Sequence, residues 1–126
     1  MDLQVVSLPG HAPAVGYAPA VQVVGANRLL FVSGQVPVAP DGSVPDGIEA
    51  QTRQVWANLV TLLAEAEMTL DNLTKLTVFL SDRAHRTAVN TVSDEVMGGR
   101  LVAWTTVIAG IIREEWLLEI EAVAVA

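Results

Sequence analysis

The chain has 126 residues, 52% of them hydrophobic, which suits one domain over residues 1–126 with a core of ordinary size. Its formal net charge is −7 and its seven basic residues are scattered, so nucleic acid and anionic membranes are poor candidate partners. Because the chain has no cysteine and only two histidines, disulfides and thiolate chemistry are excluded, and a metal site would need mainly carboxylate ligands. We therefore expect no metal site.

The N-terminal twenty residues have an acid at position 2, no basic segment and early prolines, a pattern unlike a signal peptide. No apolar run approaches the roughly 18–20 residues that a membrane span needs. We therefore expect a cytoplasmic protein with no membrane partner.

The first half of the chain predicts strands followed by a helix. Residues 21–25 and 29–36 are β-branched and aliphatic, and the turn-type Gly-Ala-Asn-Arg between them predicts a hairpin. A short strand over 3–7 is a further option. The loop 37–47 is rich in proline, glycine and aspartate. Apolar residues then recur with helical spacing from Ile48, which predicts an amphipathic helix that ends near Met68.

The second half alternates strand and helix. Residues 73–82 form a β-branched strand ending at Ser81-Asp82, a suitable N-cap for a helix over 83–97, which two glycines then close. Residues 101–111 and 116–126 predict two last strands. The order β-β-α-β-α-β-β predicts an α+β domain with two helices on one face of a mixed sheet.

The last two strands are apolar at nearly every position, more than one layer of two helices can cover. Another copy of the chain is the simplest cover for the remaining face. We therefore expect a homo-oligomer whose interfaces use the open sheet face.

Several blocks occur together in order and spacing: FVSGQVPV, DGIEAQTRQVWANL, KLTVFLSD, AVNTV and EIEAVAV. From about Val15 to the C-terminus the chain resembles the Rid (YjgF-type) reactive-intermediate deaminases. The resemblance implies a chorismate-mutase-like fold and a homotrimer with a cleft between each pair of subunits. It also implies hydrolysis of a small-molecule substrate, a 2-imino acid or its enamine tautomer, to a 2-keto acid and ammonia without a cofactor.

The resemblance also implies site residues. Tyr17 matches the family's aromatic near the first strands, although Ala18-Pro19 replaces the Ser-Gln pair that follows it in many members. Gly34 matches a glycine whose backbone borders the cleft, and Asn90 matches the helix asparagine. Glu119 matches the glutamate that holds the attacking water and is the expected catalytic residue.

The block before the penultimate strand departs from the family pattern. Deaminating members have Pro-Ala-Arg-Ser/Thr there, and the arginine clamps the substrate carboxylate; this chain has Val-Ala-Trp-Thr, with Trp104 at the arginine position. An indole has one N–H donor and no charge, so it cannot replace a guanidinium fork. We expect Trp104 and Thr106 to contact substrate and the specificity to be altered.

Each assignment has a plainer alternative. Trp104 could fill the trimer interface, Tyr17 could be a packing residue, Asn90 a helix-surface residue and Glu119 a solvated strand carboxylate. Arg100 or Arg113 could supply the missing carboxylate partner, although we favour an exposed loop position for Arg100.

The sequence leaves three candidate functions, each from a different functional class. The first is a Rid-type deaminase for an enamine or imine that lacks the usual carboxylate or presents it differently. The second is a catalytically silent trimer that binds a small metabolite as a sensor or partner. The third, a ribonuclease, is disfavoured by the acidic charge and the lack of a basic stripe.

Overall fold

The computed structural model describes residues 1–126, which form six strands and two helices. In chain order they are β1 (Asp2–Val6), β2 (Ala20–Val24), β3 (Leu29–Gln35), α1 (Ile48–Glu65), β4 (Leu73–Leu80), α2 (Arg86–Met97), β5 (Ala103–Ile108) and β6 (Leu118–Val125). Two 3₁₀ turns, Leu70–Asn72 and Arg83–His85, precede β4 and α2. The predicted helices and the strands after them are confirmed, with ends shifted by a few residues.

Local signals explain where the second helix begins and ends. The Asp82 carboxylate accepts the backbone N–H of Ala84 (2.8 Å), which caps the 3₁₀ turn that continues directly into α2. Gly98 has φ 59, the left-handed conformation that commonly ends a helix. The helical segment therefore runs from Arg83 to Met97, as the sequence predicts.

Four strands form a mixed sheet in the order β3-β6-β4-β5. Strand β6 is antiparallel to both of its neighbours, whereas β4 and β5 are parallel and are joined through α2. Parallel neighbours need such a crossover, and the helix covers one face of the sheet. This arrangement confirms the α+β prediction.

The core lies between the sheet and the two helices. From α1 it takes Val55, Trp56, Leu59 and Leu63; from α2, Val89 and Val92; and from the sheet, Leu76, Val78, Leu80, Leu118 and Ile120. Inside it, the indole N–H of Trp56 donates to the hydroxyl of Ser93 (2.9 Å), so the two helices are joined by a buried hydrogen bond. Neither helix combines the length and the apolar character that crossing a membrane requires.

The predicted hairpin between 21–25 and 29–36 is wrong. Strand β2 pairs with β1, and the two form a separate ribbon, so the optional strand over 3–7 is present. The backbone N–H groups of Asn27 and Arg28 both donate to the carbonyl of Ala126 (2.8 Å each), so the turn residues bind the C-terminus instead of closing a hairpin. At the other end of the ribbon, Ala18 donates to the carbonyl of Val102 (2.8 Å), beside β5.

The sheet face opposite the helices, which we call the open face, remains uncovered in the single chain. Phe31 and Leu29 on β3 are 73% and 62% exposed, and Lys75, Thr77 and Glu121 share this face with Phe31 around a shallow cavity. Exposed apolar side chains on a broad surface mark a place where another molecule packs. The homotrimer stays a prediction that this surface supports.

Candidate functional site

A large cavity lies on the helix side of the sheet, between α2, β5 and the segment before β2, and we call it the helix-side cavity. It encloses about 800 Å³, within the range of ligand pockets. Four predicted site residues line it: Tyr17, Asn90, Trp104 and Thr106. The structure therefore brings together most of the substrate-binding set.

Strand β5 supplies one wall. Trp104 and Thr106 are two residues apart and point to the same side of the sheet. The indole Nε1 of Trp104 donates to Oγ1 of Thr106 (2.9 Å). Because this bond uses the only polar hydrogen of the indole, Trp104 presents its aromatic ring to the cavity and can stack on a ligand, but cannot neutralise an anion.

Tyr17 and Asn90 supply two further parts of the cavity lining. Gly16, at φ 80, adopts a conformation that favours glycine and turns the chain before Tyr17, while the hydrogen bond of Ala18 to the β5 edge holds the segment in place. Tyr17 is 43% exposed. Asn90 extends from α2 and is half-buried, so its amide can donate to or accept from a ligand.

Two arginines in the helix-side cavity were missed by the sequence analysis. Arg83 and Arg86 line it together with Asn90 and Asp94, and neither arginine belongs to an ion pair. Positions 83, 86, 90 and 94 are spaced i, i+3, i+7 and i+11, which puts them on one face of a helix. This helical spacing was the feature of the sequence that could have placed the two arginines beside Asn90.

Arg100 and Arg113, the two arginines suggested as alternative partners for the substrate carboxylate, contact other residues of the chain. Arg100 lines a smaller adjoining cavity of about 160 Å³, but its guanidinium pairs with Asp71 and donates to the carbonyl of Met97 (2.9 Å). Arg113 is 3.6 Å from the Glu115 carboxylate and lies over the ring of Trp116, 5.5 Å from its centre. Neither lines the helix-side cavity.

Gly34 and Glu119 form a second group, on the open face. Glu119 alternates with the buried Leu118 and Ile120 of β6, so it points away from the helices. A Cβ at Gly34 would lie 2.7 Å from the carboxyl carbon of Glu119, so only glycine allows the carboxylate to fold over this backbone. The register of β3 against β6 also shifts here, between Val32 and Gln35.

Glu119 and Glu121 lie on the same face of the sheet, as strand alternation predicts, but their surroundings differ. Glu119 lies opposite Phe79 on β4 and is half-buried beside Gly34, whereas Glu121 lies opposite Thr77 and is exposed. Within one chain, neither glutamate lines the helix-side cavity. The predicted site residues thus form two groups on opposite faces of the sheet.

Shifts in pKa occur away from both groups. Hydrogen bonds from the hydroxyl and the backbone N–H of Ser43 lower the pKa of Asp41. Hydrogen bonds to Glu95 and Glu49 raise the pKa of Arg53. No three His, Asp or Glu side chains are grouped so that they could hold a metal ion.

Comparison with known proteins assigns the chain to a family. The family model described as endoribonuclease L-PSP matches residues 10–126. A RutC family protein of Pyrococcus horikoshii is 35% identical over 108 residues, which cover 84% of this chain and 86% of that protein.

Solved structures agree over the whole length. The Rid family protein YyfB of Yersinia pestis, a protein of unknown function, has a TM-score of 0.89 at 28% identity, with both chains covered completely. Yeast Mmf1 has a TM-score of 0.74 at 32% identity, with 98% of each chain covered. These matches confirm the resemblance found in the sequence and the α+β, chorismate-mutase-like fold that it implies: the chain belongs to the Rid (YjgF) family.

Proposed function

We propose that the protein is a homotrimeric hydrolase that deaminates a small enamine or imine in clefts between subunits. The observation that supports it most directly is the half-buried Glu119 carboxylate, held over Gly34 on a sheet face that a neighbouring copy can cover. The resemblance to the Rid deaminases suggests the reaction class. The proposal requires no cofactor, since water is the only co-reactant, and keeps the cytoplasm as the expected location.

The predicted site residues lie on opposite faces of the sheet, and this separation supports a site formed between subunits. The helix-side cavity offers an aromatic wall, an amide and cations, and the open face offers the carboxylate. A complete cleft needs both, and in a trimer the helix-side cavity of one subunit can meet the open face of the next. Each of three clefts would then combine Trp104 from one chain with Glu119 from its neighbour.

The reaction needs one group that handles protons. Glu119 would accept a proton from water as the oxygen adds to the C=N carbon of the imine, to which an enamine first tautomerises, and would pass this proton to the nitrogen to give a carbinolamine. Glu119 would then move the hydroxyl proton of the carbinolamine to the amine nitrogen, so that the C–N bond breaks, ammonia leaves with the electron pair of that bond, and the carbonyl forms. A carboxylate next to the attacked carbon can move these protons without a metal.

Trp104 is the basis for an altered specificity. Loss of a charge-assisted pair to a ligand anion costs about 2–5 kcal/mol, or a tens- to thousands-fold weaker affinity. Small 2-imino acids lose that pair on β5 and have no ring to stack on Trp104, so they should be poor substrates. An aromatic or otherwise large enamine could gain affinity from the Trp104 ring instead.

The test compares two glutamates on the same strand face. Glu119→Gln is nearly isosteric, so the trimer and ligand binding should persist while ammonia release falls roughly 10²–10⁴-fold. Glu121→Gln is the matched control and should change the rate little, because Glu121 is exposed and does not contact Gly34.

The assay measures ammonia from a panel of enamines generated in place by lyases or aminotransferases. Equal rates for wild type and both variants on every substrate that is turned over would refute the role of Glu119. No turnover of any substrate, with ligand-induced stabilisation intact, would favour a catalytically silent trimer that binds a metabolite.

A further inference from the structure

We propose that Arg83 and Arg86 bind the carboxylate of an aromatic 2-keto or 2-imino acid whose ring stacks on Trp104. The inference rests on the proposed function, because it names the ligand class for the same site. It assigns the anion-binding role to the start of α2 instead of to strand β5. The geometry of the helix-side cavity supports it in three steps.

The first step concerns which cations are free. Arg53, Arg100 and Arg113 form ion pairs within the chain. Arg28 donates to the carbonyl of Ala66 (2.7 Å), and Lys75 donates to Oγ1 of Thr105 (2.7 Å). These five exhaust the basic residues other than the two in the cavity.

The second step concerns the charge that a ligand would meet. Asp94 is the single acidic residue in the lining, so the residues around the cavity carry two positive charges, on Arg83 and Arg86, and one negative charge. In a chain with a net charge of −7 this is a local excess of positive charge. Guanidinium forks match the planar geometry of a carboxylate and bind it through paired hydrogen bonds.

The third step concerns the uncharged part of the ligand. Trp104 has already used its N–H on Thr106, and Tyr17 adds a second aromatic wall. A cavity of about 800 Å³ is larger than a two- or three-carbon side chain requires, and ring stacking contributes affinity beyond burial. The half-buried Asn90 amide is placed to bind the 2-keto oxygen or 2-imino nitrogen.

Binding of phenylpyruvate, followed by calorimetry or ligand-observed NMR, tests the assignment without turnover. Arg83→Gln/Arg86→Gln should weaken binding at least about tenfold, since charge-assisted pairs are roughly twice as strong as neutral hydrogen bonds. Phenylpyruvate methyl ester should bind weakly and equally to both proteins. Arg100→Gln and Arg113→Gln, which remove arginines outside the cavity, are the controls and should bind phenylpyruvate like wild type.

Sedimentation and circular dichroism establish that the double variant is assembled and folded. If the double variant does not fold, the two single variants replace it, and each should lose affinity for phenylpyruvate several-fold. Unchanged binding by the arginine variants, or a loss caused by Arg100→Gln or Arg113→Gln instead, would overturn the assignment.

Ammonia release separates this inference from the proposed function. If wild type deaminates no substrate but binds phenylpyruvate through Arg83 and Arg86, the deaminase proposal fails and the anion site stands. If the double variant deaminates aromatic enamines at the wild-type rate, the anion site fails and the deaminase proposal stands.

Discussion

Replacing Gln51 by leucine should destabilise the protein by about 2–4 kcal/mol. Gln51 lies in the first turn of α1 and is only 3% exposed. Its Nε2 donates to the carbonyls of Pro45 (3.1 Å) and Glu115 (2.8 Å), and its Oε1 accepts the N–H of Leu117 (2.9 Å). One side chain thus ties the loop before α1 and the loop before β6 to the helix.

The magnitude follows from these three bonds. Each contributes about 0.5–1.5 kcal/mol net, and leucine, of similar volume, would leave the Leu117 N–H and the Glu115 carbonyl without their partner. Gln54→Leu is the matched control on the same helix. Gln54 is only half-buried and donates once, to Asn58 (2.9 Å), so its loss should cost less than about 1 kcal/mol.

Urea unfolding followed by circular dichroism gives both free energies. All proteins must be measured at one chain concentration, because assembly contributes to apparent stability. A free energy of unfolding for Gln51→Leu within about 0.5 kcal/mol of wild type would refute the reasoning, as would an equal loss for Gln54→Leu.

Three further outcomes are expected. Sedimentation equilibrium at micromolar concentration should give three times the 13.4 kDa chain mass, and a single chain mass would remove the shared-cleft proposal. Trp104→Arg should raise hydrolysis of 2-iminobutyrate, which has no ring to stack on Trp104, by tens-fold or more, because it adds a carboxylate partner on β5 to those that Arg83 and Arg86 offer; a wild type already as fast as an arginine-bearing relative would contradict this. Gly34→Ala should reduce ammonia release by up to about 10²-fold with the trimer intact, because the new Cβ displaces the Glu119 carboxylate; unchanged release would argue against that carboxylate as the base.

The sequence predicts the helices and most strands because their signals are local. Helical spacing and the Asp82 cap define α2, and the structure agrees. The β2–β3 hairpin was wrong because its turn residues bind Ala126, a partner about one hundred residues away that no local pattern reveals. The backbone N–H groups of Asn27 and Arg28 could close a local turn or bind the distant Ala126 carbonyl, and the tertiary structure decides between the two.

The candidate site was only partly predictable for a similar reason. Alternation assigns Glu119 to the face opposite Leu118, but each face of β5 carries two apolar residues and one threonine, so its pattern does not say which face Trp104 takes. The separation of the two groups therefore appears only when the strands are paired. Arg83 and Arg86 were overlooked because exposed arginines at the start of a helix are common, and only the cavity gives them a shared role.

The ribbon of β1 and β2 has consequences for the kinetics of binding. No residue of either strand is buried, and backbone hydrogen bonds join the ribbon to the rest of the fold at the two ends of β2, through Ala18 at one end and Asn27 and Arg28 at the other. Such a segment opens without unfolding the core, at a free energy far below that of global unfolding. Because Tyr17 is next to Ala18, an opening that breaks the Ala18 hydrogen bond removes one wall of the helix-side cavity. The apparent dissociation constant then rises as the fraction of closed chains falls, so ordering the ribbon tightens binding with no new ligand contact.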